Sequence, residues 1–209
     1  AFTANLSILQ YEFSMGMFIK NIFLIYIILV FFTSCKNELS SDEAREKLGV
    51  MNINYSKESL IEAVKQNDEL AVKLLLKAGI NPNVFSMGDS KEFEKYKVFP
   101  VLGIAANNDS YKIFDLLLKY GADINLMSEL GNTPLSMSGN SGNAKMFGYI
   151  LKKGANPNIH IKRINLNLEN WGYLHASVLW GKEREEKIKY LIAYGADMSL
   201  TYRNIETPL

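Results

Sequence analysis

The stretch Leu116–Asn125 reads Leu-Leu-Leu-Lys-Tyr-Gly-Ala-Asp-Ile-Asn, and it decides the fold because its pattern occurs four times in the chain. The other copies are Leu-Leu-Leu-Lys-Ala-Gly-Ile-Asn-Pro-Asn at 74–83, Ile-Leu-Lys-Lys-Gly-Ala-Asn-Pro-Asn at 150–158 and Leu-Ile-Ala-Tyr-Gly-Ala-Asp at 191–197. The shared glycines, Gly79, Gly121, Gly154 and Gly195, lie 42, 33 and 41 residues apart. A repeat at this spacing indicates an array of similar units.

The apolar residues of each unit follow a helical period. In the first unit Leu60, Ala63 and Val64 fall on one face of a short helix, and Val72 and Leu75 fall on one face of the next. The glycine of each copy stands where a helix ends with a positive φ, and the Asn, Asp and Pro residues after it form turns. One unit cannot bury its apolar face alone, so the units are predicted to stack. Further predicted core residues are Phe114, Leu116, Phe147 and Ile150.

These repeats resemble the ankyrin repeat. Thr133-Pro134-Leu135 and Thr207-Pro208-Leu209 match the start of that motif, and Tyr173-Leu174-His175 keeps only its Leu-His part. The resemblance implies an all-α solenoid of helix-turn-helix units joined by finger hairpin loops, with about four repeats and the start of a fifth. It also implies that His175 is structural. The predicted repeats are 57–83, 99–125, 132–158, 171–200 and a partial unit at 201–209, after which we expect the native chain to continue.

Two of the glycine spacings are longer than the 33-residue period. The first excess lies within 84–98, where Lys and Glu alternate between 91 and 97 as in a solvated loop. The second spreads over 159–172, with a further two residues near 182–185. Insertions in repeat proteins map to loops, often on the binding face, so we expect two enlarged fingers.

Residues 35–56 are predicted to connect the repeats to a leader. After a short tether at 36–40, Ser40-Ser41-Asp42-Glu43 forms a capping box that opens a helix over 42–48. This helix would cover the exposed side of the first repeat, and Ser56 would cap the helix that follows.

Residues 1–34 are predicted to contain a signal peptide. The run Ile22–Phe32 holds eleven apolar residues without a charge, a length typical of a signal peptide and too short to span a bilayer. Lys20 supplies the positive charge ahead of it. Phe32-Thr33-Ser34-Cys35 resembles the lipobox of bacterial lipoproteins, in which the cysteine is acylated, although Phe32 stands where the box prefers Leu. The resemblance implies a lipid on Cys35 and a cell-envelope location.

Two other interpretations of this segment stay open. The apolar run could be an uncleaved membrane anchor or a buried structural helix. Residues 1–16 do not fit a signal peptide, because Glu12 would be unusual there. We expect translation to start at Met15 or Met17 and the upstream stretch to be an artefact.

The composition excludes several kinds of chemistry. With Cys35 as the single cysteine, neither an internal disulfide nor a thiolate metal cluster can form. Two histidines are too few for most histidine-rich metal sites, and no glycine-rich phosphate loop or His-Glu-x-x-His run occurs. We therefore expect no catalytic site, cofactor or metal. The net charge of +1 gives no reason to expect nucleic acid as a partner.

The resemblance implies that the fingers and first helices form a concave face that binds another protein, with the chain itself a monomer. The candidate contact residues on that face are Phe85, Met127, Glu129, Leu130, Ile159, His160, Ile161, Lys162 and Trp171. Tyr173 and Trp180 could contact a partner or fill space in the longer fourth repeat. Alternative functions are an antitoxin-like inhibitor of an envelope enzyme, the recruiting arm of a larger enzyme whose carboxy-terminal part is missing, and an exported effector.

Overall fold

The computed structural model describes residues 39–87, 98–129, 131–141, 143–159, 161–163, 168–171 and 183–197. In these ranges the chain forms eight α-helices and two short β-hairpins. In chain order the elements are α1 (Ser41–Val50), α2 (Lys57–Lys65), α3 (Glu69–Lys77), β1 (Phe85–Met87), β2 (Val98–Pro100), α4 (Val101–Asn107), α5 (Tyr111–Lys119), α6 (Pro134–Ser141), α7 (Ala144–Lys152), β3 (Ile161–Arg163), β4 (Leu168–Trp171) and α8 (Arg184–Ala193).

Short polar side chains begin α1 and α2 as predicted. The Ser40 hydroxyl accepts a hydrogen bond from the backbone N–H of Glu43, and the Glu43 carboxylate accepts one from the Ser40 N–H. Ser56 accepts a hydrogen bond from the N–H of Ser59 at 3.1 Å. Both caps satisfy N–H groups that a helix leaves unpaired at its first turn. The predicted capping helix is therefore confirmed, and it is one residue longer at its start and two at its end.

The four repeated glycines end their helices in the left-handed region. Gly79, Gly121, Gly154 and Gly195 have φ values of 105°, 90°, 100° and 80°. A side chain with a Cβ is strained at such values, which is why glycine recurs at this position. The predicted positive φ is confirmed at all four sites.

In the first three units the helices form pairs, and these pairs and α8 stack through an apolar core. Phe114, Phe147 and Ile150 are fully buried, as predicted. The prediction for Leu116 is wrong, because this side chain is only half-buried. The buried face of α5 passes through Phe114 and Leu117, so Leu116 lies at the edge of that face. The first unit's predicted core residues are all buried: Leu60, Ala63, Val64, Val72 and Leu75.

Helix α1 covers the open side of the first unit. Ala44 and Leu48 are buried. The Ser41 hydroxyl and the Arg45 guanidinium both donate hydrogen bonds to the carbonyl oxygen of Ala78, at 3.1 and 3.2 Å. Because Ala78 follows the last turn of α3, these bonds satisfy a carbonyl that the helix leaves unpaired. α1 therefore acts as the predicted terminal cap of the stack.

Both enlarged fingers contain antiparallel hairpins. β1 pairs with β2 after α3, and β3 pairs with β4 after α7. The stacked helix pairs confirm the predicted all-α solenoid, with strands confined to the fingers in the part of the chain that is described. The predictions of a solvated loop at 91–97, of a first helix in the fourth repeat and of a partial unit at 201–209 lie outside the described residues. Within the described ranges, no helix is long and apolar enough to cross a membrane.

Candidate partner-binding surface

The first enlarged finger is built on a regular hairpin. Phe85 lies opposite Pro100, and Met87 lies opposite Val98. The N–H of Val101 donates a hydrogen bond to the Val84 carbonyl at 2.9 Å, which closes the base of the hairpin where α4 begins. Phe85 is half-buried in this strand, so it presents part of its ring to solvent. The finger is thereby fixed to the first helix of the second unit.

The next finger is fastened to this hairpin by one asparagine. The Asn132 side-chain amide donates a hydrogen bond to the Val98 carbonyl at 3.1 Å. The Asn132 backbone N–H donates to the Ser128 hydroxyl, and Ser128 is buried. Met127 and Glu129 flank this buried serine, and both are exposed, Met127 by 45%. Burial of Ser128 therefore holds its two neighbours at the surface of the finger.

A reciprocal cap joins this finger to α6. The Thr133 hydroxyl accepts a hydrogen bond from the N–H of Ser136, and the Ser136 hydroxyl accepts one from the N–H of Thr133. Ser136 stands where the motif in the resemblance has histidine. A serine at this position makes a local capping box and fixes the direction in which the chain leaves the finger.

The second enlarged finger brings two of the candidate residues opposite each other. Ile161 in β3 pairs with Trp171 in β4, and Arg163 pairs with Leu168. The register shifts between these two pairs, so the hairpin contains an irregularity. Lys162 lies between them in β3. Ile159 precedes the hairpin and is half-buried.

Several predicted residues lie outside the described part of the chain. They are Cys35, Leu130, His160, Tyr173, His175 and Trp180. The structure therefore places Phe85, Met127, Glu129 and Ile159 with their side chains, and it places Ile161, Lys162 and Trp171 by their backbone.

Three asparagines support the fingers at their base. The Asn83 side chain accepts a hydrogen bond from the N–H of Asp123 and donates one to the Gly121 carbonyl. The Asn158 side chain bonds the N–H of Asp197 and the carbonyl of Gly195 in the same way. Asn125 lies in the turn between those of Asn83 and Asn158. It accepts a hydrogen bond from the N–H of Asn156 at 2.9 Å. Each turn is thus hydrogen-bonded to the turn of the next unit.

A polar cluster joins the second and third units away from the fingers. Asp115 in α5 accepts a hydrogen bond from the Tyr149 hydroxyl at 2.6 Å, and the Lys153 ammonium lies 2.7 Å from its other oxygen. Burial alone would raise the pKa of Asp115, but the bonds from Lys153 and Tyr149 outweigh it and lower that pKa. The same contact raises the pKa of Lys153. The Tyr149 ring also meets the Tyr111 ring edge-on at 4.9 Å.

The described ranges hold no group of three or more His, Cys, Asp or Glu side chains that could bind a metal ion. What the site residues offer is a contact surface of exposed and half-buried apolar groups beside a few charges. Aromatic, methionine and arginine side chains are enriched in protein interfaces, and the fingers carry all three kinds.

Comparison with known proteins agrees with this geometry. Residues 102–202 match the family model described as ankyrin repeats (3 copies). The chain is 32% identical over 87 residues to an ankyrin repeat protein of Acanthamoeba polyphaga mimivirus, across 41% of this chain and 12% of that protein. It is 33% identical over 95 residues to an ankyrin repeat protein of Rickettsia bellii, across 38% of this chain and 40% of that protein. Each match therefore spans less than half of the relative's length.

Proposed function

We propose that the ankyrin repeats of this chain, which form a protein-interaction module, hold a protein partner with their two enlarged fingers and do no chemistry of their own. A lipid on Cys35 would keep the module in a bacterial cell envelope. The chain binds as a monomer, with no cofactor and no nucleic acid.

One observation carries the proposal for the fingers. The chain departs from a regular period at two places, and at both of them the extra residues extend a hairpin from the same position in the unit. Extra length that served only to connect helices would not need paired strands. Two hairpin extensions, one on each side of the finger that contains Ser128, widen the surface that a partner can contact.

The side chains of the fingers suit a protein partner. Met127 is exposed by 45% although it is large and apolar, and Phe85 and Ile159 are half-buried. Burying such groups against a partner is favourable, at about 25 cal/mol for each Å² of apolar surface. Glu129 and Lys162 add one charge of each sign, which favours a partner with complementary charges at its rim. Leu130, His160, Ile161 and Trp171 complete the proposed surface.

The proposal for the anchor rests on the sequence around Cys35. An eleven-residue apolar run ends three residues before the chain's one cysteine. Only residues 36–40 then separate the cysteine from α1, a tether of about 17 Å when fully extended. An acylated Cys35 would therefore hold the solenoid close to the membrane surface.

Shortening the fingertips tests the proposed binding surface. In one variant a two-residue Asn-Gly turn replaces residues 88–97, and in another it replaces 164–167, which keeps the paired strands. We expect a protein recovered specifically with the full chain to be lost with at least one variant. The control is Leu70→Ser, which removes an exposed apolar side chain at the far end of α3. Unchanged binding by both shortened variants, with unchanged melting temperatures, would contradict the proposal.

Mass spectrometry of the membrane fraction tests the anchor. We expect the mature chain to begin at Cys35 and to carry an acyl mass there, and we expect Cys35→Ser to abolish both. An unmodified cysteine in a chain that continues upstream would refute the lipid anchor without affecting the proposal for the fingers.

A further inference from the structure

A lysine occupies a core position in the last described helix. Lys187 in α8 lies eight residues before Gly195, and it is 0% exposed. The residues at the same distance before the glycines of the other units are Ala71, Ile113 and Met146, all of them apolar and buried. The fourth unit therefore places a charged side chain where the others use an apolar one.

The Lys187 ammonium has one described hydrogen-bond acceptor for its three N–H groups. Its Nζ donates to the carbonyl oxygen of Gly139 in α6 at 2.6 Å. Burial lowers the pKa of Lys187, and the charge of Glu183 one turn earlier opposes that shift. Removing an ammonium from water is costly unless several hydrogen bonds replace its hydration. Part of the gain from docking α8 on the third unit is therefore offset by its own lysine.

The start of α8 lacks the side-chain cap that α3 and α7 have, and in this it is like α5, which begins after Ser110 without one. Asp68 and Asn143 cap α3 and α7 with their side chains. The residue before α8, Glu183, has a φ of 56° and makes no side-chain cap. Its carboxylate instead accepts a hydrogen bond from the N–H of Ala144, in the first turn of α7, at 2.8 Å. Glu183 thus stabilises the neighbouring helix and leaves α8 uncapped, whereas its positive φ is shared by Asn67 and Asp109, which stand at the same distance before their own glycines.

We infer that α8 is a latch: it undocks from the third unit more readily than the helices of the earlier units undock from each other. In the docked position Lys187 bonds Gly139 and Glu183 bonds Ala144, but the cost of burying the ammonium exceeds what its single bond returns. Asn158, at the base of the second enlarged finger, bonds the backbone of Gly195 and Asp197 directly after α8, so undocking of α8 removes this support from the finger. The amino end stays fastened through Asn156, which is bonded to Asn125. Docking of α8 thus determines how rigid the second enlarged finger is, whichever partner that finger binds.

Hydrogen exchange measured by mass spectrometry on the full chain tests the latch. In the wild type we expect the amides of Ile188–Ala193 to exchange faster than the hydrogen-bonded amides of α5 and α7. Lys187→Met gives the fourth unit a methionine, the residue that the third unit has at the equivalent position, Met146. It should slow exchange in α8 by about tenfold or more, the size of effect seen when a buried charge gives way to an apolar side chain.

The control is Lys189→Met, which removes a lysine of the same helix that is 72% exposed and should leave the exchange of α8 unchanged. Equal protection of α8, α5 and α7 in the wild type would overturn the inference, even if Lys187→Met failed to fold. An α8 that exchanges as fast in Lys187→Met as in the wild type would also overturn it, because the fast exchange would then not come from the buried charge. A slower α8 with Lys189→Met as well would show that the effect does not come from the buried charge.

Discussion

Single polar side chains decide how the units of this solenoid are joined. Asn83, Asn125 and Asn158 each stand four residues after a repeated glycine and bond the backbone of the next unit. They lie at the surface, where water competes, so each bond adds only a modest net stabilisation of about 0.5–1.5 kcal/mol. Their geometric effect is larger, because the amides of Asn83 and Asn158 both donate and accept and so fix the position of the next turn.

Asp115 gives the cluster between α5 and α7 a predicted pH dependence. Its pKa in the folded chain is lower than the ordinary value of about 3.9, since Lys153 and Tyr149 stabilise the carboxylate. Its stabilising effect is therefore complete above that ordinary value and is lost as the pH falls through the lower folded pKa. We expect Asp115→Asn to lower the free energy of unfolding at neutral pH by more than at about pH 2.

Urea unfolding of both proteins at a series of pH values checks this prediction. The side chain of Asp115 is 44% exposed, so the difference between the proteins should also shrink at high salt. A difference that stays constant down to the lowest pH would show that Asp115 acts through packing alone.

The sequence predicted the apolar residues better than these polar contacts. Phe114 and Phe147 follow a helical period, so their burial could be predicted directly. The asparagines recur at a fixed offset from the glycines, and only their role as turn formers was predicted from it. The burial of Lys187 could not be predicted from its type, because lysine is among the residues that are least often buried. Its offset of eight from Gly195 was the available signal.

At the scale of elements, close approach of α7 and α8 depends on a residue without a side chain. A Cβ on Gly148 would lie 2.6 Å from the ring of Tyr190, which no real contact allows. Glycine inside a helix costs about 1 kcal/mol relative to alanine. The close packing of α8 therefore explains why a glycine stands in the middle of α7, although glycine has a low helix propensity.

Because of this contact, we expect Gly148→Ala to change stability in the direction opposite to that expected from helix propensity. Helix propensity alone says that Gly148→Ala should stabilise α7, but the overlap with Tyr190 should displace α8. We expect a net loss of about 1 kcal/mol or more in the free energy of unfolding, as for overpacked cores. The loss should disappear when Tyr190→Ala is combined with it. Thermal unfolding of the two single variants and the double variant measures this coupling, and a stabilised Gly148→Ala single variant would contradict it.

Some of the helices and strands were easier to predict from the sequence than others. α1 could be predicted because Ser40 and Glu43 form a capping box with a known spacing. The hairpins of the fingers could be predicted as insertions, but not in their register. Strands of three or four residues are too short to show an alternating pattern, and their pairing depends on the turn that joins them.

At the scale of the whole molecule, each unit contacts only its neighbours, so damage at one end should stay local. Leu48 of α1 is 1% exposed and packs on the first unit. Leu48→Ala should lower the free energy of unfolding of that part of the stack by about 2–5 kcal/mol, the range typical of truncating a buried leucine. Hydrogen exchange should accelerate in α2 and α3 and stay unchanged in α7.

The matched control for this variant is Val50→Ala. Val50 lies in the same helix but is 84% exposed, so its loss should change stability by no more than about 0.5 kcal/mol. Equal acceleration of exchange in all helices after Leu48→Ala would mean that the array unfolds as one cooperative unit.

We propose that a protein partner contacts the fingers and not the ends of the helix pairs that lie away from them. Site-specific photo-crosslinking in cells tests it most directly, with the probe at Met127 or at Leu70. Both positions are apolar and exposed, by 45% and 56%, and Leu70 lies in the first turn of α3, away from the fingers. We expect a discrete crosslinked protein from Met127 and none from Leu70. The same product from both positions, or a product from Leu70 alone, would contradict it.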